Sequence, residues 1–466
     1  MILPKILYTI SNTLKKHKAK MIIVGGATRD YFLELPSKDY DIEVYGLGDI
    51  QKLEEVLLEF GSVNFVGKSF GILKFVHNGD EYDFSFPRVE TKVGKGHKGF
   101  DVKLNGNLDF KMASMRRDFS INAIGYDIEE KCFLDPFGGL EDIEKKQLRH
   151  IDNETFTQDP LRVYRAMQFC ARFSFSLAKD TFKLCQKMVY SGMLEELPKE
   201  RVYAEWRKLM LKSSKPSKGF ELMRELAIIE RYFQELYALI GVPQSIKWHP
   251  EGDVWVHTMM TIDEMSYLCK IESCCIYEEK QILKFMFVAL CHDFGKAVST
   301  TIEPNGTIRS IGHEHTGVAL TKQFMYRLMD EHDFIEGLLP LIEHHLKPSQ
   351  FYADNSSNKA ILKLATRVNI KELTLVSKAD FLGRTTDEAL TRNYKAGDWL
   401  LKKASSLNVE TKPIKRLLQG RDLINLGLSP SPKFKTMLDE VYDLQLDGAI
   451  TTYEEALEYA KKNYIN

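Results

Sequence analysis

Two aspartates separated by one residue, Asp39 and Asp41, are the first side chains in the sequence that could perform metal chemistry. They lie in KDYDIEV, whose β-branched and aromatic residues predict a strand. Because side chains alternate across a strand, Asp39, Asp41 and Glu43 would share one face. Paired carboxylates can hold two magnesium ions about 4 Å apart, one activating a hydroxyl nucleophile and the other neutralising a triphosphate. We therefore predict a catalytic metal site here, with Asp83 in YDFSFPR as the candidate third ligand and Glu43 as its rival.

A glycine turn precedes these aspartates, in VGGATRD. The order of residue types predicts a strand, a tight turn at Gly25 and Gly26, and the start of a helix. Glycine lets the backbone approach an anion closely, and the free amides at a helix start can donate to a phosphate. Arg29, one turn into that helix, could add a two-pronged phosphate contact. The combination indicates a phosphate-binding turn beside the metal site.

Two later segments place arginines beside acidic or amide side chains. The segment MRRDFSINAIGYD supplies four polar side chains: Arg116, Arg117, Asp118 and Asn122. Together they could bind a triphosphate, a ribose hydroxyl and a base edge. In QDPLRVYRAMQF, a helix would place three such residues on adjoining faces, namely Asp159, Arg162 and Arg165. An aspartate acceptor beside an arginine donor can read the hydrogen-bonding edge of a nucleobase.

A second concentration of chemistry lies further along the chain, where eight of the twelve histidines fall between positions 249 and 345. The predicted metal ligands in KWHPEGDVWVHT, FVALCHDFGKA and VSKADFLGR are His257, His292, Asp293 and Asp380. Imidazoles with carboxylates suit a divalent transition metal or magnesium. The candidate additional ligands, from the GHEH and EHH stretches, are His313, His315 and His344. A bound metal would lower the pKa of water and supply hydroxide to attack a phosphoester.

The elements that must position these residues change character along the chain. Short β-rich runs at 21–24, 40–44, 71–76 and 82–86 and a helical period at 50–60 predict a mixed-sheet head, hence an α+β fold. The Lys- and Gly-rich stretch 91–100 reads as a mobile basic loop. After about residue 150 the segments are mostly helical. We predict four parts: a head at 1–140, a neck at 141–240, a histidine-rich domain at 241–390 and a tail at 391–466.

Composition is that of an ordinary globular protein, with 44% hydrophobic and 28% charged residues. The formal net charge of -1 means that any nucleic acid must be bound by local basic patches. Seven cysteines without a CxxC pair predict reduced thiols. The N-terminal segment has the spacing of an amphipathic helix, and the sequence has no long uncharged apolar run, so we expect a cytoplasmic protein without a membrane span.

The order of these motifs resembles a known family, the bacterial tRNA nucleotidyltransferases or CCA-adding enzymes, in a class shared with bacterial poly(A) polymerases. The resemblance rests on VGGATRD, KDYDIEVYG, RRDFSINAIGYD, LDPFGGLEDI and DPLRVYRAMQFCARF, and it extends to about residue 210. It implies a polymerase-beta-like head that binds Mg²⁺ through the residues matching Asp39 and Asp41. It implies nucleotide binding by the residues matching Gly26, Arg29, Arg117, Arg162 and Arg165. It also implies that Asp159 and Arg162 form an amino-acid template that selects C or A.

One departure concerns the template, because Gln158 stands where the family often has Glu. The basic loop at 91–107 resembles the full-length loop of members that add the complete CCA, whereas members that add only CC have a shortened loop there. The resemblance further implies tRNA, bound by its acceptor and TΨC arms, with CTP and ATP as partners, and a monomer or homodimer.

Residues 240–390 resemble the C-terminal half of the multifunctional CCA proteins, whose HD domain carries phosphatase and 2′,3′-cyclic phosphodiesterase activities. Mg²⁺, Ni²⁺ and Mn²⁺ stay open as its metal. Three alternatives remain: a relative that adds only CC or only A, a poly(A) polymerase, and an HD phosphohydrolase whose head merely binds RNA.

Overall fold

A computed structural model describes residues 1–37, 39–66, 71–92, 100–106, 108–272 and 276–465. The chain divides into two compact units, Met1–Tyr232 and Phe233–Asn466. The first unit combines a sheet with helices, and the second is almost entirely helical. This confirms the predicted α+β class with a mixed-sheet head followed by helical regions.

The strands of the first unit, in chain order from β1 to β11, are Lys20–Val24, Tyr40–Tyr45, Ser62–Val66, Ile72–His77, Asp80–Ser85, Arg88–Lys92, Phe100–Leu104, Gly125–Asp127, Cys132–Leu134, Gln147–Leu148 and Ser176–Leu177. Seven of them form the main sheet of the described residues, in the order β3-β4-β5-β2-β1-β8-β9. β2 pairs with β5 in parallel and with β1 in antiparallel fashion. β2, which carries Asp41, is therefore near the centre of the sheet.

Three strands in this region, β3, β6 and β7, were not predicted, and the loop predicted at 91–100 can be followed only at its ends. The ends of the predicted loop 91–100 belong to the antiparallel pair β6 and β7, while 93–99 lie outside the described residues. The short strands at its ends were missed because the Lys- and Gly-rich composition of 91–100 predicts a loop.

The helices of the first unit, α1 to α11, are Lys5–Lys16, Gly26–Phe32, Ile50–Leu58, Phe110–Ser114, Gly139–Glu144, Asn153–Thr157, Leu161–Phe173, Lys179–Tyr190, Lys199–Lys212, Ser217–Glu225 and Ile228–Tyr232. Short 3-10 turns lie at Ser120–Asn122 and Met193–Glu196. The apolar stripe of α1, with Leu7, Ile10 and Leu14, is fully buried in the core of the sheet. Asp49 caps α3 by accepting a hydrogen bond from the amide of Gln51.

The second unit contains α12 to α26: Gln234–Tyr237, Val254–Tyr267, Glu279–Cys291, Lys296–Ser299, His313–Leu328, His332–Glu336, Leu339–His344, Lys347–Ala353, Asn358–Ala365, Ile370–Leu382, Asp387–Leu390, Lys395–Ser406, Gly420–Asn425, Lys433–Leu446 and Tyr453–Tyr464. α13 continues into a π-helical turn, Leu268–Glu272, and a small hairpin joins β12, Thr300–Ile302, to β13, Ile308–Ser310. The last three helices share a separate apolar core. None of the described helices is long and apolar enough to span a membrane.

Candidate active sites

The glycine turn between β1 and α2 lies directly against Asp41. Gly25 has a φ of +75°, and a Cβ built on it would lie 3.0 Å from Oδ2 of Asp41 and 3.5 Å from Nη1 of Arg117. A side chain at this position would therefore be strained and would crowd the carboxylate. The double glycine brings backbone, carboxylate and guanidinium to one place.

Asp41 and Asp83 are direct neighbours across the parallel strands β2 and β5. The side chain of Asp41 is partly open to solvent, but neighbouring groups desolvate it and raise its pKa, and the negative charges of Asp83, Glu43 and Asp39 raise the pKa further against the opposing effect of Arg117. Asp39 is exposed and lies one residue before β2. Carboxylates this close together repel one another when all are ionised. A hard divalent cation such as Mg²⁺ would offset that repulsion.

Glu43 has a different role from the one considered for it as a third metal ligand. Its side chain is 1% exposed, and its Oε1 accepts hydrogen bonds from Arg116 at 2.8 Å and from Arg117 at 3.1 Å. Its Oε2 accepts from the hydroxyl of Tyr45 at 2.7 Å. Burial alone would raise the pKa of Glu43, but Arg117 and Arg116 hold it below its usual value. Glu43 thus positions two arginines, and the strand register favours Asp83 as the third ligand.

One cavity of about 390 Å³ brings the predicted nucleotide-binding residues together. Arginines outnumber aspartates in its wall by seven to three, which suits a polyanionic ligand. The wall residues are Gly25, Gly26, Arg29, Asp41, Arg88, Arg116, Arg117, Asp118, Asn122, Asp159, Leu161, Arg162, Arg165 and Arg201. The set includes all six residues predicted to bind the nucleotide.

Arg29 is held more tightly within the protein than a free phosphate clamp would be. Its Nε and Nη2 donate to Oδ1 of Asp30 at 2.8 and 2.6 Å, and its Nη1 donates to Oδ1 of Asn122 at 2.6 Å. The guanidinium also lies 4.8 Å from the ring centroid of Phe173. Asp30 therefore accepts two of the guanidinium hydrogen bonds that a phosphate was predicted to accept. Arg29 still lines the cavity.

The chain of polar contacts continues from Asn122 to the helix α7. Asp118 accepts hydrogen bonds from Nδ2 of Asn122 at 2.8 Å and from Nε of Arg165 at 2.6 Å. Burial would raise the pKa of Asp118, but Arg165 holds it below its usual value. Asp118 is thus an ionised anchor that fixes Arg165 in the cavity wall.

Asp159 stands just before α7, where its Oδ1 accepts a hydrogen bond from the amide of Leu161 at 3.2 Å. Arg201 of α9 reaches the same carboxylate, with Nη2 3.0 Å from Oδ2 and Nη1 3.3 Å from Oδ1. Arg162 donates to the carbonyl oxygens of Arg116 at 2.6 Å and of Thr155 at 2.9 Å. The sequence analysis did not identify Arg201, which lies 42 residues beyond the aspartate it holds.

In the second unit, the four predicted metal ligands lie close together, and two of them, Asp293 and Asp380, line another cavity, of about 240 Å³. Nε2 of His257 lies 3.0 Å from Oδ1 of Asp380 and 4.0 Å from Oδ2 of Asp293. Nε2 of His292 lies 3.3 Å from the same Oδ2. All four side chains are buried, and they come from the start of α13, the end of α14 and the end of α21.

Asp293 also faces a second pair of histidines. Its Oδ1 lies 3.3 Å from Nε2 of His313 and 3.8 Å from Nε2 of His345. Gly295 permits this approach, because any Cβ there would overlap the carbonyl oxygen of His313. Of the candidate additional ligands, the structure thus places His313 at the cluster. His345, which the sequence analysis did not single out, occupies the position considered for His344.

The other two candidates lie elsewhere. His315 is 65% exposed and faces Glu314 and Glu343. His344 is the last residue of α18 and is not part of the cluster that contains Asp293. His315 and His344 as additional ligands stay predictions, although the structure brings neither of them to the cluster around Asp293.

The donor atoms in this cluster fit a bound cation. Buried polar atoms ordinarily pair, yet Nε2 of His292 and both oxygens of Asp293 form no well-oriented hydrogen bond within the described residues. Lys296 lies 2.7 Å from Oδ2 of Asp293, and Arg384 donates to both oxygens of Asp380 at 2.9 Å. Burial would raise the pKa of Asp293, but His292 and Lys296 hold it well below its usual value. Ionised carboxylates facing imidazole nitrogens suit a divalent metal.

Three known families match separate parts of the chain. The Poly A polymerase head domain matches residues 21–149, and the family described as a probable RNA and SrmB-binding site of polymerase A matches residues 174–239. The HD domain matches residues 254–384, which include all four predicted ligands of the second unit.

Relatives and solved structures cover most of the chain. A multifunctional CCA protein from Shewanella denitrificans is 35% identical over 78% of this chain and 79% of its own length. One from Pasteurella multocida is 33% identical over 84% of this chain and 90% of its own. The Bacillus stearothermophilus CCA-adding enzyme in complex with CTP is similar in fold, with a TM-score of 0.63 at 20% identity and 98% coverage of both chains. A Thermotoga maritima CCA-adding enzyme complexed with tRNA has a TM-score of 0.59 at 18% identity and covers 99% of this chain and 96% of its own. The chain belongs to the family of the multifunctional CCA proteins.

Proposed function

We propose that this chain adds CCA to the 3′ end of tRNA from CTP and ATP, releasing pyrophosphate. The observation that carries the proposal is the cavity in which Asp41, beside its strand partner Asp83, faces a wall of arginines from the head and from α7 and α9. Its relatives are named for CCA. The cavity offers both a place for divalent cations and a binding surface for a triphosphate.

In this mechanism Asp39, Asp41 and Asp83 supply the carboxylate oxygens of the metal site. Bound Mg²⁺ there would activate the 3′ hydroxyl of the RNA and stabilise the charge on the departing pyrophosphate. Arg117, held by Glu43, and Arg165, held by Asp118, orient the triphosphate for in-line attack. Fixed guanidinium groups stabilise the developing charge without reorganising during the reaction.

Selection of the base belongs to Asp159 and Arg162 in this proposal. A carboxylate accepts a hydrogen bond from the exocyclic amino group that cytosine and adenine share, and an arginine donates to the ring nitrogen or carbonyl beside it. Arg201 already holds Asp159 from the far side of the cavity. Basic faces of the neck and tail helices bind the acceptor and TΨC arms, so tRNA affinity should fall steeply with salt.

The test offers a tRNA transcript ending at the discriminator base, with CTP alone, ATP alone or both. We expect CC with CTP alone and CCA with both. Products stopping at CC or showing A alone would assign a partial activity, and a long ladder of A on unrelated RNA would assign poly(A) polymerase. Replacing Asp39 and Asp41 with Ala should abolish incorporation. Persistence of incorporation in that variant would refute the proposed catalytic site.

We further propose a metal-dependent phosphohydrolase activity in the second unit, acting on phosphomonoesters or on 2′,3′-cyclic phosphates at RNA ends. It is supported by the buried cluster of His257, His292, Asp293 and Asp380 below Lys296, whose ammonium lies in the cavity wall. The four ligands would hold the metal, which supplies hydroxide when bound. Lys296 contributes a positive charge for the phosphate.

The test measures hydrolysis of a 2′,3′-cyclic nucleotide and of p-nitrophenyl phosphate with Mg²⁺, Mn²⁺ or Ni²⁺. Replacing His292 and Asp293 with Ala should abolish hydrolysis and leave CCA addition intact. The matched control is His315→Ala, because His315 is an exposed histidine of the same unit outside the cluster. Equal hydrolysis by both variants would refute the proposed site.

A further inference from the structure

Glu251, in the motif KWHPEGD, holds a position that the proposed functions have not used. Its side chain is 1% exposed, and its Oε1 lies 2.8 Å from Nδ1 of His249 and 2.8 Å from Nδ1 of His257. Its other oxygen accepts a hydrogen bond from the backbone amide of Thr385 at 3.2 Å. One buried carboxylate therefore meets two imidazoles and a backbone amide.

The other histidines of the cluster are oriented by their own backbone. Nδ1 of His292, His313 and His345 lies 2.9, 2.7 and 2.7 Å from the carbonyl oxygens three residues before it. A carbonyl oxygen only accepts, so each of these Nδ1 atoms carries a proton and each Nε2 is directed towards the cluster. Nδ1 of His257 faces Glu251 instead.

We infer that Glu251 is a positioning residue, which accepts the Nδ1 proton of His257 and so directs the Nε2 lone pair of that ligand towards the metal. The inference rests on the proposed metal site of the second unit. A carboxylate behind a ligating histidine fixes the ring and its tautomer and makes the ligand more basic. Nε2 of His257 lies 3.0 Å from Oδ1 of Asp380 and 4.0 Å from Oδ2 of Asp293. The contact with Asp380 would be a hydrogen bond if Nε2 carried the proton, whereas the role of Glu251 requires the proton on Nδ1.

The same carboxylate links a second ligand to His257. Thr385 directly follows Arg384, which donates to both oxygens of Asp380. Glu251 therefore fixes the end of α21, which carries Asp380, while it orients the histidine opposite. It also holds His249, whose ring meets that of His257 edge to face at a centroid distance of 4.5 Å. That ring restricts rotation of the His257 imidazole.

His249, Glu251 and His257 are also close enough together to form a metal site of their own. Oε1 of Glu251 accepts a hydrogen bond from Nδ1 of His249 at 2.8 Å, whereas its 2.8 Å contact with Nδ1 of His257 is not a well-oriented hydrogen bond. The number of metal ions bound therefore distinguishes the two roles, because a positioning residue can be replaced without loss of a site.

Glu251→Gln tests the inference by metal binding alone. Gln keeps the shape, but its amide cannot accept from both imidazoles with one group and from Thr385 with the other. The full chain carrying Asp41→Asn is titrated with Co²⁺ by calorimetry and visible absorption, so that the head contributes little to the signal. We expect unchanged stoichiometry, a 10- to 100-fold loss of Co²⁺ affinity and an altered absorption band.

The matched control is Glu264→Gln in the same background. Glu264 also lies on α13, but its carboxylate pairs with Arg392 at 2.7 Å, away from the cluster. Its replacement should leave Co²⁺ affinity and absorption unchanged. Thermal unfolding without metal checks that both variants are folded.

If Glu251→Gln does not fold, a measurement on the protein that keeps Glu251 can still test the inference. Long-range ¹H–¹⁵N spectra of metal-free protein should show His257 protonated at Nδ1, with the resonance identified by its loss in His257→Asn. Protonation at Nε2 would overturn the inference, as would unchanged Co²⁺ affinity in Glu251→Gln. Loss of one equivalent of metal would overturn it too, because Glu251 would then be a ligand. If the unsubstituted chain binds no Co²⁺, the proposed metal site itself fails.

Discussion

The backbone of Gly25 lies so close to the Asp41 carboxylate that a side chain at position 25 would contact it. We therefore expect Gly25 to matter for the position of Asp41 as well as for the turn. A methyl group at Gly25 would press on the Asp41 carboxylate from 3.0 Å. We predict that Gly25→Ala lowers CCA incorporation by two orders of magnitude or more, which corresponds to about 2.7 kcal/mol of transition-state stabilisation. Single-turnover incorporation at saturating CTP measures the effect.

Gly79→Ala is the control for backbone strain in this prediction. Gly79 also has a positive φ, of +90°, but a Cβ there would meet nothing within 4 Å. Both alanine variants place a side chain at a positive φ, and each is expected to cost about 1 kcal/mol or more in backbone strain. If Gly79→Ala lost as much incorporation as Gly25→Ala, strain rather than the contact with Asp41 would be responsible.

The ionised side chain of Asp41 is expected to lower the free energy of unfolding of the metal-free protein at neutral pH. Its folded-state pKa is raised above the ordinary 3.8, so ionisation at neutral pH opposes folding, and the penalty disappears as pH falls below that ordinary value. We predict that Asp41→Asn raises the melting temperature of the metal-free protein at pH 7 while abolishing incorporation. The gain should shrink at pH 3.5 and in saturating Mg²⁺. Calorimetry at both pH values checks this, and a lower melting temperature at pH 7 would contradict it.

At the scale of elements, α9 contacts the residues just before α7, where Arg201 holds Asp159, which we propose selects the base. Arg201 and Asp159 are each about one quarter exposed, so their ion pair should add no more than about 1 kcal/mol to stability. We predict that Arg201→Ala barely changes the free energy of unfolding but reduces selection of CTP and ATP over UTP and GTP at least tenfold. Competition between nucleotides in single-turnover reactions measures the selection.

Arg224→Ala provides the matched comparison, because Arg224 lies on α10 and pairs with Glu221 of its own helix. It should change neither stability nor selection appreciably. Unaltered selection in Arg201→Ala would mean that Asp159 is oriented by its bond to the amide of Leu161 alone.

The elements that sequence could predict are those with a strong local pattern. The apolar runs of β1, β2, β4 and β5 and the helical period of α3 placed Asp41 and Asp83 on strands of one sheet. The parallel register that makes them neighbours depends on contacts distant in sequence. β6 and β7 escaped prediction because lysines and glycines between them suggested a loop throughout.

The same limit applies to the sites. The motifs predicted Asp39 and Asp41 because a glycine turn and Arg29 precede the pair, and they predicted the HD ligands because further histidine motifs follow; either pair alone would be weak evidence. The partners that neutralise or orient them come from elsewhere: Arg116 reaches Glu43 across 73 positions, and Thr385 reaches Glu251 across 134. The choice between His344 and His345 depends on how the end of α18 packs, which periodicity does not fix.

At the scale of the whole molecule, each of the two compact units contains a different kind of candidate metal site. The first unit offers carboxylate oxygens and the second offers imidazole nitrogens around Asp293. Oxygen donors suit Mg²⁺, whereas imidazole suits transition metals. The four-part division at 140, 240 and 390 stays a prediction, since the boundary between the compact units lies at Tyr232 and Phe233.

This difference in donors predicts that the two activities can be switched off separately. A chelator selective for transition metals, such as 1,10-phenanthroline, should abolish phosphohydrolysis while CCA addition continues in excess Mg²⁺, because the chelator competes poorly for a cation held by oxygen. Parallel assays on one preparation measure both activities, with the non-chelating 1,7 isomer as control. Ni²⁺ or Mn²⁺ should restore hydrolysis. If the chelator stopped CCA addition as well, or if Mg²⁺ alone sustained hydrolysis in its presence, the separation of donor chemistry between the units would be wrong.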